Sequence, residues 1–163
     1  MLLYNTLLIA GIAGIAAALA LVLRPWRVPA AVAGWTGLLL LHLSTYTTLE
    51  PWVLPFYAVA TLIVAGIHYL SPKGEPGGKR SGTLYLGLGA LAGGLVGMIA
   101  GARFMMLGVV LGCLFGQLAF CRTPHGNWIK FPSSNFIHYF CARGLQTIVA
   151  VAMIGVAIEG FIF

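Results

Sequence analysis

Aspartate is missing from all 163 residues, and glutamate occurs only at Glu50, Glu75 and Glu159. Metal-dependent phosphoryl transfer recruits clustered carboxylates, so that chemistry has no raw material here. Charged residues of both signs make up only 7% of the chain, against roughly 25% in soluble domains. An ordinary soluble fold is thereby excluded. Cysteine is scarce too: Cys113, Cys121 and Cys141 cannot all pair within one chain and form no C-x-x-C, so reduced thiols are expected and no structural zinc. The H-E-x-x-H, G-x-S-x-G, Walker, kinase and Rossmann patterns are absent, leaving no catalytic constellation to name. His42 and His68 fall at different depths of their segments, and no metal, haem or other cofactor is expected. Nine Lys and Arg give a net charge of +6, but they are scattered and belong to no nucleic-acid module, so nucleic acid is not an expected partner.

What the chain has in quantity is apolar sequence. Sixty per cent of it is hydrophobic, arranged in runs long enough to cross the hydrocarbon core of a bilayer. The expected fold is an all-α, polytopic transmembrane bundle forming a single domain with six spans, about 2–23, 30–49, 52–70, 83–101, 104–120 and 145–163. The first run lacks the basic flank of a signal peptide and reads as a true span. Residues 71–82 (SPKGEPGGKRSG) form the clearest solvent-exposed loop. Residues 121–144 carry Pro124, Gly126, Asn127, Lys130 and Pro132 among many aromatics, the composition of an interfacial segment. The 38 residues of 83–120 suit two closely connected spans with a turn at Gly101-Ala102-Arg103. The alternative is a re-entrant pair of half-helices that buries Arg103.

Six crossings place Arg24, Arg27, Lys73, Lys79, Arg80, Arg122, Lys130 and Arg143 on one side and only Arg103 on the other. The positive-inside rule makes the richer side cytoplasmic and both termini non-cytoplasmic. The expected setting is the plasma membrane of a bacterium or archaeon, with membrane lipid as a partner.

Glycine supplies the strongest pattern. Gly89, Gly93, Gly97 and Gly101 recur every four residues in segment four; Gly108, Gly112 and Gly116 do so in segment five. Residues four apart share a helical face, so each series clears a stripe along which helices can approach to backbone contact. The expected arrangement is a glycine-zipper hairpin, with the stripes facing each other or segment one, whose Gly11 and Gly14 are also small. A subunit interface, as a homo-oligomer or with a partner membrane protein, is the other use. The hairpin resembles those of uncharacterised bacterial Gly-rich membrane proteins over about a quarter of the chain, a likeness that implies no function.

Polar residues inside spans are costly and tend to face the bundle interior or water. Segment two runs to about Leu49, and four-residue steps put His42, Tyr46 and Glu50 on one face as a polar path. Arg122, His125 and Lys130, beside the Gly126-Asn127 turn, are candidate anion contacts. Arg103 and Glu159 fall near the same non-cytoplasmic face. Three functions follow: first, a small transporter or channel-like protein moving a proton, ion or small solute; second, a noncatalytic subunit or assembly scaffold; third, an intramembrane enzyme acting on a lipid-phase substrate.

Overall fold

The computed structural model of the protein describes the backbone of residues 2–23, 29–44, 49–70 and 79–162, and their side chains except at positions 2, 79–81, 102, 103 and 162. The described chain is an all-α bundle: α1 (Leu2–Leu23), α2 (Ala30–Leu43), α3 (Val53–Leu70), α4 (Lys79–Ala100), α5 (Ala102–Cys121), α6 (Ser134–Tyr139) and α7 (Leu145–Ile162). A short 3₁₀ turn at Pro124–Gly126 follows α5, and a π turn at Phe140–Gly144 joins α6 to α7 without a break. Five helices are long and apolar enough to cross a membrane, and α2 is a shorter sixth.

Local chemistry explains the boundaries. Segment two does not reach Leu49, because the helix stops at Leu43 and the Ser44 hydroxyl donates to the Leu41 carbonyl at 2.6 Å. Pro55 sits in the first turn of α3, where a missing N–H costs no helical bond. α4 begins at Lys79, so the end of the expected 71–82 loop is helical; residues 71–78 lie outside the described residues. The α4–α5 connection is tighter than the three-residue turn expected. Gly101 alone links them at φ 129°, a conformation that favours glycine. Both helices are long enough to cross a membrane, a length that half-helices do not need. The 121–144 segment is only half irregular. Ser133 caps α6 by accepting from the Phe136 N–H at 3.2 Å, and helix then continues from Ser134 through the π turn into α7.

Two antiparallel hairpins built on glycine flank the central helix α7, which touches α1, α2, α3, α4 and α5. In the α4–α5 hairpin the two stripes meet. A Cβ at Gly93 would lie 2.9 Å from Gly112 Cα, one at Gly89 would lie 3.0 Å from Gly116 Cα, and one at Gly108 would lie 3.1 Å from Gly97 Cα. The helices are in backbone contact. Segment one finds its partner elsewhere: a Cβ at Gly14 would lie 2.7 Å from Gly37 Cα on α2. One face of α7 packs Ile148, Ala150 and Val151 into a core with Leu86, Ala90, Val109 and Cys113. Its other face packs Ala152, Met153 and Ala157 with Leu38, Leu41, Val53 and Tyr57. The opposite pattern holds outside, where Leu62, Ile63, Leu95, Val96, Ile99, Leu107 and Phe115 are exposed, as a lipid-facing surface requires.

Candidate functional site

The interior around α7 is apolar with a few polar exceptions, and these define the candidate site. On α3 the buried positions Val53, Tyr57, Thr61 and Val64 form one stripe, with Tyr57 5% and Thr61 6% exposed. Thr6, Thr36 and Thr147 each donate to a carbonyl of their own helix. Thr61 does not: its hydroxyl is buried with no hydrogen-bond partner among the described residues. Tyr57, one turn away, feels the charge of Glu159 from α7. His42, near the end of α2, has a buried Nδ1 that is likewise unpartnered. It lies two turns beyond Trp35, whose indole N–H donates to the Leu54 carbonyl of α3 at 3.4 Å. Side chains of α2, α3 and α7 thus bring titratable and hydroxyl groups to one corner of the bundle.

A second polar group lies at the other end of α7. Gln117 of α5 is fully buried; its amide donates to the Phe136 carbonyl at 2.9 Å, while its Oε1 has no partner. Cys113, one turn earlier, directs its thiol at the Gly144 carbonyl in the π turn, at 3.8 Å. Gln146, at the start of α7, is buried with Nε2 unpartnered. The α6–π–α7 helix is seated here by stacking of Tyr139 on Phe120 and edge contact with Trp128. The Tyr139 hydroxyl occupies the space that a side chain on Gly82 would need.

The sequence-predicted path is not reproduced as a single helical face. α2 ends one residue after His42, Tyr46 lies outside the described residues, and Glu50 is exposed beyond the helix, accepting from the Trp52 indole N–H. Of the two described members of that path, His42 lies in the bundle wall and Glu50 outside it. Arg122, His125 and Lys130 are all exposed on the α5–α6 connection. The Gly126 N–H expected to help them hold an anion instead bonds to Thr123, at 3.1 Å to its carbonyl and 3.3 Å to its hydroxyl. The side chain of Arg103 lies outside the described residues, and Glu159 finds Tyr57 as its electrostatic neighbour. Sequence reasoning missed Tyr57, Thr61, Gln117 and Gln146. The i, i+4 spacing of Tyr57 and Thr61 was a usable signal, and so was a lone glutamine inside the apolar run of α5.

No group of three or more His, Cys, Asp or Glu side chains capable of holding a metal occurs among the described residues. Comparison with protein-family models, curated proteins and solved structures returns no match for this chain.

Proposed function

We propose that the protein is a small channel-like or transport protein of the plasma membrane, passing a proton or small cation along α7. The supporting observation is the set of four buried polar atoms without partners around that helix, on His42, Thr61, Gln117 and Gln146. An unsatisfied buried polar group costs about 1–3 kcal/mol. Four of them together cost about 4–12 kcal/mol, comparable to the entire net stability of a typical domain. Water entering beside α7 restores their hydrogen bonds, which brings a dry and a wetted arrangement close in free energy. A gated path needs that near-balance. Glu159 and Tyr57 would form its non-cytoplasmic mouth, and the Gln117–Gln146 region its cytoplasmic end. This orientation, with both termini non-cytoplasmic, rests on the eight-to-one asymmetry of basic residues.

Purified protein in proteoliposomes under an imposed pH or potassium gradient tests the reading. The parent is expected to conduct, and Thr61→Val and Glu159→Gln to reduce the flux at least tenfold. No flux from the parent under either gradient, or parent-like flux from both variants, overturns it.

A further inference from the structure

Between its two polar ends α7 is purely apolar. From Ile148 to Ile158 no side chain carries an oxygen or nitrogen, and Gln146 stands thirteen residue steps from Glu159, about 20 Å along the helix. The polar atom that faces this stretch comes from α3. Thr61 is the ninth of the 18 residues of α3, about 12 Å from one end and about 14 Å from the other, which is mid-depth of the span. It belongs to the buried stripe whose Val53 and Tyr57 pack with Ala152, Met153 and Ala157 of α7. A threonine in a helix commonly bonds a carbonyl of the preceding turn, as Thr6, Thr36 and Thr147 do. The Thr61 hydroxyl is buried with no hydrogen-bond partner among the described residues, so it is left to turn either way.

A metal cation crosses protein without its water only where oxygens replace the hydration shell, and hard cations take about six or more. The middle of α7 offers no side-chain oxygen, its carbonyls are engaged within the helix, and Thr61 adds one hydroxyl. A cation that kept six waters would need about 180 Å³ at every point, at about 30 Å³ per water. Ala150, Ala152 and Met153 are instead fully buried in the cores on the two faces of α7. A single file of water needs far less room, and a proton crosses it by exchange of hydrogen bonds while no ion travels. Building on the transport role proposed above, we infer that the permeant species is the proton and that Thr61 passes it through the apolar middle. Glu159, half-buried in the last turn of α7 and within electrostatic reach of Tyr57, takes a proton from water at the mouth and releases it to the first water of the file. His42 and Tyr57 are the other titratable groups at that corner. At mid-depth a protonated water gives its proton to the Thr61 oxygen while the hydroxyl proton already there leaves to the next water. The threonine is unchanged, and rotation of its hydroxyl resets it.

Reversal potentials of the purified protein in planar bilayers test this. A tenfold proton gradient at equal potassium should set the reversal potential near 59 mV, the value of a tenfold ratio for one charge; a tenfold potassium gradient at equal pH should leave it at zero. Thr61→Val should lower the proton current at least tenfold, whereas Thr61→Ser, which keeps the hydroxyl, should retain most of it. Thr61→Val removes an unpartnered buried group, so it should unfold in detergent at the parent's temperature or above, which separates a lost relay from a damaged fold. A reversal potential that follows potassium leaves transport standing and overturns proton selectivity. Parent-like proton current in Thr61→Val, or equal loss in Thr61→Ser, overturns the relay. Absence of current under both gradients removes the transport role and the selectivity with it.

Discussion

Replacing Gly93 by alanine adds one methyl group where α4 and α5 already touch through their backbones. Its Cβ would stand 2.9 Å from Gly112 Cα and closer still to the Gly108 carbonyl oxygen. Carbon–carbon contacts settle at about 3.5–4 Å, so the helices must separate by about 0.6 Å or more. Both obstructions are backbone, and no rotamer change can relieve them. A gap of about 0.5–1 Å forfeits a quarter to a half of each dispersion contact along the seam, in a setting where packing is the main attraction between helices. Overpacking costs about 1–3 kcal/mol, and a seam of backbone belongs at the upper end, about 3 kcal/mol. Gly66 on α3 is the control, since a Cβ there meets nothing within 4 Å and alanine improves helix propensity by up to about 1 kcal/mol. Unfolding in mild detergent, followed by circular dichroism, measures both. Combining Gly93→Ala with Gly112→Ala should cost less than the sum, because the first methyl has already parted the helices. A Gly93→Ala protein within about 0.5 kcal/mol of the parent, the range of ordinary surface substitutions, would refute the argument.

Two further outcomes are expected. In a chain with Cys113, Cys121 and Cys141 replaced, a cysteine substituted for Lys79 should react only from the cytoplasmic side; labelling by an impermeant maleimide in intact spheroplasts would reverse the orientation. Gln117→Met removes one hydrogen bond, worth about 0.5–1.5 kcal/mol, together with an unpartnered acceptor costing about 1–3 kcal/mol, so detergent unfolding should find the variant equally or more stable while its flux in proteoliposomes falls. Loss of more than about 1 kcal/mol would mean that Oε1 is satisfied in the membrane.

The helical runs and the glycine seam were legible because both depend on short-range periodicity. Leu62, Ile63 and Val64 of α3 or Gly89, Gly93 and Gly97 of α4 declare themselves without knowledge of the rest of the chain. The polar corner was not legible in the same way. His42 to Glu50 was expected to be one wet helical face, but α2 ends at Leu43 and Glu50 lies outside any helix. Tyr57 comes within electrostatic reach of Glu159 only because α3 and α7 pack together, and their separation in sequence carries no trace of that. The π turn was hidden for a related reason. Its residues, Phe140–Gly144, include Arg143 and Gly144 and follow a proline-rich connection, whereas the stacking of Tyr139 on Phe120 is set by tertiary contact.

The order in which the helices leave the ribosome gives the central position of α7 a temporal meaning. Each hairpin, α1–α2 and α4–α5, joins neighbours in the chain and can close as soon as its second helix is made, since contacts between nearby segments form fastest. α7 follows all five helices that it touches. At about 5–20 residues per second, the stretch between the end of α5 and the start of α7 takes a few seconds to synthesise. Throughout that interval the two finished hairpins can touch only where α1 meets α4, and the core that α7 completes is missing. The grooves that later receive Met153 and Val151 stand open to lipid or to insertion factors. A lesion in α7 should therefore leave helix content nearly intact and be detected as failure of the hairpins to dock, a fault of assembly order that a quality-control protease would sense before any loss of secondary structure.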